Sequence, residues 1–250
     1  MTFTKQFSEI RKEDILIAGG KGASLGEMFN SGIPVPDGFV LTTEIYGKNL
    51  FDFQKEILAR FDSLGAKFVA VRSSATVEDS PQNSFAGQFE TYLNVTRENL
   101  LENIKKCWNS INSEKINKYL QGKGIDKDKI KIAVVVQKMV NSEKSGIAFS
   151  VHPVTQDRNQ IIIEAGFGLG EAIVSGQITP DSYVVEKNKF IILDKNIAGK
   201  QQILSDNEIL ELSKLVVKIE NHFNFPVDIE WAIKGGMIDI LQSRPVTTLN

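Results

Sequence analysis

The feature that most restricts the fold of this chain is an alternation near its C-terminus. In Val227-Asp228-Ile229-Glu230-Trp231-Ala232-Ile233, the residues Val227, Ile229, Trp231 and Ile233 fall on one face of a strand, and Asp228 and Glu230 fall on the other. A period of two fits a half-buried strand and not a helix. Lys234-Gly235-Gly236 supplies a turn, and the return strand runs from Met237 through Leu241-Gln242-Ser243-Arg244-Pro245. The length of that turn decides which side chains meet. A three-residue turn over 234–236 sets Ile233 against Met237 and Asp228 opposite Gln242, with Glu230 and Arg244 on the same face. A two-residue Gly-Gly turn sends Gln242 to the opposite face, because a one-residue slip inverts a strand. Gathering two carboxylates, an amide oxygen and a guanidinium therefore requires an odd-length loop or a bulge. That set suits Mg²⁺ with nucleotide phosphates, since hard cations take oxygen ligands. The same pattern also reads as the solvated face of an edge hairpin closed by Pro245.

Upstream, glycine clusters at 19–26, 166–170 and 235–236. Gly19-Gly20-Lys21-Gly22 reads as a glycine-rich loop leading into a helix with Leu25, Met28 and Phe29 on one side and Gly32 as its stop. The loop offers backbone N–H groups and a lysine to an anion. It is not a Walker A loop, whose glycine and lysine order differs. Phe68–Val71 reads as a strand ending at Arg72, followed by the small residues Ser73-Ser74-Ala75-Thr76, which could turn around phosphate oxygens with arginine as bidentate donor. Segment 84–91 suits a flap. The run Glu164-Ala165-Gly166-Phe167-Gly168-Leu169-Gly170 misses the dinucleotide fingerprint and reads as a tight turn. Further expected elements are a helical stretch to about Ser63 and another over Val95–Gln121. Strands are expected at Ile130–Met139, Ser145–Ser150 and Gln160–Ala165, a hairpin about Lys187-Asn188, and an amphipathic helix over Asp206–Phe223. Most strand pairs are expected to be antiparallel, giving an α+β chain.

Composition supplies exclusions rather than chemistry. The 250 residues carry a formal net charge of −2, which gives no electrostatic footprint for nucleic acid. No apolar run is long enough to span a bilayer. The single cysteine, Cys107, forms no internal disulfide and fits a cytoplasmic setting; its place beside Trp108 in a helical stripe reads as core. His152 and His222 read as structural or surface residues.

Taken in order, several segments resemble the nucleotide-binding domain of phosphoenolpyruvate synthases and pyruvate, phosphate dikinases. They are Gly19-Gly20-Lys21-Gly22-Ala23-Ser24-Leu25-Gly26-Glu27-Met28, Ile33-Pro34-Val35-Pro36-Asp37-Gly38-Phe39, Val71-Arg72-Ser73-Ser74-Ala75-Thr76-Val77-Glu78-Asp79 and Ser84-Phe85-Ala86-Gly87-Gln88. Val134–Val140, Ser145–Ser150, the 164–185 stretch, Asp228-Ile229-Glu230-Trp231 and Leu241–Pro245 continue the series. The resemblance implies an α+β ATP-grasp fold of two subdomains, 1–136 and 137–250, with ATP held between them. It implies that Lys21 and Arg72 bind phosphates and that Arg244 joins them as a catalytic group. Gly87 and Thr91 would belong to the flap, and Gln137, Lys138, Met139 and Val140 to the adenine segment, whose backbone groups around Met139 meet the base. Glu230 and Gln242 would hold Mg²⁺, with Asp228 in support. The implied reaction splits ATP to AMP and moves the β-phosphoryl group to a histidine, then to pyruvate. The histidine-bearing swivelling domain and the pyruvate barrel would lie on another domain or chain, making this a partial enzyme. The region between Thr42-Thr43 and Val71-Arg72 is shorter here than in that family. Antibiotic- or glucan-phosphorylating dikinases and a non-catalytic ATP-binding regulatory module are the alternative readings.

Overall fold

A computed structural model of the chain describes residues 2–77, 90–170, 173, 176–247 and 249. Two units emerge: residues 1–32 with 36–139, and residues 33–35 with 140–250.

The first unit is built on a five-stranded antiparallel sheet. Its strands are β1 (Thr4–Gln6), β2 (Gly38–Leu41), β3 (Val69–Ala75), β4 (Thr91–Val95) and β5 (Ile132–Lys138), in spatial order β1-β2-β5-β3-β4. Its helices are α1 (Ile15–Asn30), α2 (Gln54–Ser63), α3 (Leu100–Asn109) and α4 (Glu114–Lys123). Register assigns the two faces. Val69, Val71, Ser73 and Ala75 of β3 lie opposite Lys138, Val136, Val134 and Ile132 of β5. The apolar members of this face join Ile104, Cys107, Trp108, Ile116 and Leu120 in one buried cluster. Ala70, Arg72 and Ser74 take the other face, against α1. Ser113 caps α4 by accepting from the Ile116 N–H at 3.3 Å, and Gly124 closes it in the left-handed conformation.

Helix α1 departs from the expected loop. The chain is helical from Ile15, broken once at Gly19 (φ 69°, ψ 173°), and helical again to Asn30. A Cβ on Gly19 would stand 2.2 Å from the Ser74 carbonyl oxygen. The Ser74 hydroxyl donates to the Ala18 carbonyl at 2.8 Å and accepts from the Gly22 N–H at 3.0 Å, so it bridges the break. Gly26 is needed for a different contact: a Cβ there would meet Ile10 at 2.6 Å. These glycines buy close packing, not a mobile loop. Strand β3 likewise runs beyond Arg72 to Ala75, because Ser73 and Ser74 continue the ladder to β5. Their hydroxyls are satisfied inside the unit, Ser73 Oγ by the Cys107 carbonyl at 3.2 Å.

The second unit carries a six-stranded antiparallel sheet of order β11-β10-β6-β7-β8-β9. Its strands are β6 (Lys144–Phe149), β7 (Gln160–Phe167), β8 (Asp181–Glu186), β9 (Ile191–Asn196), β10 (Val227–Lys234) and β11 (Met237–Pro245). Helix α5 (Asp206–Phe223) opens with a capping box, in which Ser205 and Glu208 satisfy each other's backbone N–H. It covers the face bearing Ile229, Trp231 and Ile233: Lys144, paired with Ile233, reaches Glu208 of α5 at 2.7 Å. Buried Asp181 accepts from the Tyr183 hydroxyl and from the Ala198 and Ile203 N–H groups, pinning the segment before α5. Every strand pair among the described residues is antiparallel, so the chain is α+β as expected. No helix among the described residues is long and apolar enough to cross a membrane.

Gly19→Ala should lower stability by about 2–5 kcal/mol, adding left-handed strain to a backbone clash. Gly124→Ala, also at positive φ but with open space around it, should cost only about 1 kcal/mol. Urea midpoints measure both; equal losses would remove the role assigned to the Ser74 contact.

Candidate functional site

In the first unit, Arg72 and Gln137 project from the face of the sheet that α1 covers, and Lys21 lies in α1 itself. Arg72 is mid-strand rather than at a strand end, paired with Val135 on one side and Thr91 on the other. It is 6% exposed, and Lys21, in the helix just after the Gly19 break, is 9% exposed. Burying two cations is costly unless an anion or dipole answers them. Thr91 begins strand β4 instead of lying in a loop. Gly87 lies outside the described residues. Gln137 shares the face of Arg72, is 1% exposed, and its Nε2 has no hydrogen-bond partner among the described residues. The N–H groups of Lys138 and Met139 are committed to the carbonyls of Asp37 (2.8 Å) and Phe68 (3.1 Å).

In the second unit, the hairpin settles the parity question. Gly235 (φ 57°) and Gly236 (φ 78°) make a two-residue turn, with Lys234 paired to Met237. Of the two conditions set by the sequence, an odd-length loop or a bulge, the odd-length loop is therefore excluded. Glycine tolerates positive φ at both central positions, which a primed turn demands. Taken alone, this register would put Gln242 on the wrong face. A bulge between Glu230 and Trp231 corrects it: Trp231 pairs with Ile240, but Glu230 pairs with Gln242 and Asp228 with Arg244. Leu241 is the extra residue. Asp228 thus faces Arg244, not Gln242, while all four polar side chains share one face.

That face has an internal order. Arg244 donates through Nε to Asp228 Oδ2 at 2.8 Å, and its Nη2 lies 2.6 Å from the same oxygen. Glu230 and Gln242 stand side by side, adjacent to Ile147 of β6 and, beyond it, Glu164 of β7. Burial, then the charge of Asp228, pushes the Glu164 carboxyl above its usual range. The sequence reading does not single out Glu164. Its signal was a lone carboxylate within the apolar run Ile161-Ile162-Ile163-Glu164-Ala165.

Mg²⁺ keeps several waters and takes few protein ligands beside phosphate oxygens. The directly paired carboxylate and amide of Glu230 and Gln242 fit that requirement. No group of three or more His, Cys, Asp or Glu able to hold a metal occurs among the described residues. His152 Nδ1 accepts from the Val154 and Thr155 N–H groups at 3.2 Å, and His222 sits in the last turn of α5 against Phe223. Cys107 is fully buried, and burial raises its thiol to about 12.

The chain matches the family model described as pyruvate phosphate dikinase, AMP/ATP-binding domain, over residues 15–52, 50–204 and 198–250. It is 38% identical over 320 positions to a probable phosphoenolpyruvate synthase of Methanocaldococcus jannaschii, covering 100% of this chain and 27% of that protein. It is 37% identical over 317 positions to the rifampicin phosphotransferase of Bacillus cereus, covering 99% of this chain and 36% of that one. The chain thus spans less than half the length of these curated relatives. Among solved structures, the D-alanine–D-alanine ligase of Bacillus anthracis complexed with ATP is similar at a TM-score of 0.45 and 12% identity, covering 94% of this chain and 57% of the ligase.

Two outcomes follow from the buried groups. Native Cys107 should resist a disulfide reagent at about pH 8 and react once the chain is unfolded; rapid labelling of the folded chain would contradict its burial. Glu164 holds its proton in the native state at pH values above 4.5 where the unfolded chain has lost it. Its contribution to stability is therefore fully present below 4.5 and is lost as pH rises through the native value. Glu164→Gln should gain stability over the unsubstituted chain as pH climbs through that window. Parallel urea-midpoint curves would refute the shift.

Proposed function

The chain belongs to the pyruvate phosphate dikinase AMP/ATP-binding domain family, and from that membership we propose that it binds Mg-ATP through an ATP-grasp arrangement and passes a phosphoryl group to a histidine on another domain or chain, ultimately to pyruvate. The observation that carries this reading is the pairing of Glu230 with Gln242, held on one face by the bulge at Leu241. An unbulged two-residue hairpin would have separated the two metal ligands.

Each residue has a stated task. Lys21 and Arg72 answer phosphate charge from a buried face, where a cation is worth more than in water. Arg72 offers a planar fork that matches phosphate oxygens, and Lys21 a point charge. Glu230 and Gln242 would hold Mg²⁺, which would supply neutralisation of phosphate charge. Asp228 fixes the guanidinium of Arg244, leaving that side chain oriented before any nucleotide arrives. Gln137 contributes its buried amide, and Val140 its backbone N–H, to the base; the neighbouring N–H groups of Lys138 and Met139 are already used within the fold. Thr91, next to Arg72 in the ladder, and Gly87 remain the proposed phosphate-covering pair. The rifampicin phosphotransferase relative makes a drug the competing final acceptor.

Mg-ATP at 100 times its dissociation constant should stabilise the chain by about 2.7 kcal/mol. Arg72→Ala and Glu230→Ala should each abolish that shift while retaining the far-ultraviolet dichroism of the folded chain. Wild-type-like shifts in both variants would overturn the site, and no shift in the unsubstituted chain would overturn ATP binding. Label from β-³²P-ATP should appear on an added histidine-bearing domain of a relative. Supplying pyruvate or rifampicin then identifies the acceptor.

A further inference from the structure

The first unit holds a cavity of about 540 Å³ that nothing above uses. It is lined by Tyr46, Leu50, Phe51, Leu101, Trp108 and a polar rim that includes Lys48, Lys105, Asn109 and Asn112. It lies with α3 on the face of the five-stranded sheet opposite α1, so it is separate from Lys21, Arg72 and Gln137. Its volume falls within the range of small-molecule sites.

Three observations describe what it would accept. The floor is aromatic: Tyr46 and Trp108 meet edge to face at 6.1 Å and 84°, and Phe51 stands at the rim 74% exposed. The indole Nε1 of Trp108 is buried and has no hydrogen-bond partner among the described residues, an uncommon state for an indole. The rim is electropositive. Lys105 and Lys48 meet no carboxylate among the described residues, Lys48 resting instead over the Phe3 ring, whereas the one acidic lining residue, Glu102, is paired with Lys106 at 2.7 Å.

We propose that this cavity is a second ligand site, taking a planar aromatic carboxylate. The ring system would lie against Tyr46, Trp108 and Phe51, with the carboxylate toward Lys105 and Lys48 and the rim amides of Asn109 and Asn112 beside it. Aromatic walls select a flat apolar body, and uncompensated ammonium groups select its charge.

The test is a titration of the full ¹⁵N-labelled chain with 2-naphthoate, following the two indole N–H signals and the side-chain amides. Saturable shifts should be confined to Trp108, Asn109 and Asn112, with Trp231 unmoved and no displacement by Mg-ATP. Lys105→Glu, at an exposed position, should weaken binding about tenfold, as should removal of the ligand's charge in 2-naphthalenemethanol. Absence of a saturable shift up to about 10 mM, where even inefficient fragments bind, would overturn the proposal. So would equal affinity for the neutral alcohol. Concentration-dependent shifts of the same signals without any probe would overturn it as well, by showing that a second copy covers the face.

Discussion

The contact on which the first unit depends is that between Gly19 and Ser74. A helix cannot cross the end of β3 without either a break or a void, and the left-handed backbone at Gly19 provides the break at the one residue type that carries no Cβ. The Ser74 hydroxyl then replaces the helical hydrogen bonds lost there, with Ala18 on one side and Gly22 on the other. Lys21 follows directly after this join, so backbone packing sets its buried position. The polar face of Arg72 and the helix that covers it are thus fixed by the same pair of residues.

The second unit solves a different problem with strand geometry. Its sheet has one face closed by α5 and another that carries Asp228, Glu230, Glu164, Gln242 and Arg244. Placing acids on a partly buried face costs desolvation, visible in the raised Glu164. The Asp228–Arg244 pair removes part of that cost locally, and Glu230 and Gln242 lie beside it on the same face. In the proposed reading, a bound cation would offset part of what remains.

Much of this was legible in the sequence where local and tertiary signals agree. Helix Asp206–Phe223 has its serine cap, its apolar stripe and its stop at Asn224, and its expected bounds coincide with those observed. The strands of the second unit alternate cleanly enough to place. The 19–22 segment reads as a loop because glycine signals loop by default, whereas here Gly22 packs against Val40, and Gly26 within the expected helix packs against Ile10, partners that no local pattern announces. Arg72 was put at a strand end because Ser73 and Ser74 look like turn residues; their hydroxyls find buried acceptors only in the folded unit. The hairpin chemistry was readable as a condition, an odd loop or a bulge, but not as a choice between them. Gly235-Gly236 is itself a two-residue turn signal that was undervalued. Glu164 was readable too, as the only charge in an apolar strand.

The bulge has a consequence for how this hairpin tolerates changes in length. Because side chains alternate, the stretch between Glu230 and Gln242 behaves like a reading frame, with Leu241 acting as the inserted letter that restores phase after the Gly-Gly turn. Loss or gain of a single residue in that stretch puts the downstream strand out of frame unless a bulge appears or disappears with it. Length changes are therefore expected to be tolerated in compensating pairs, and two hairpins of this kind can differ in turn and bulge while presenting the same oxygen donors.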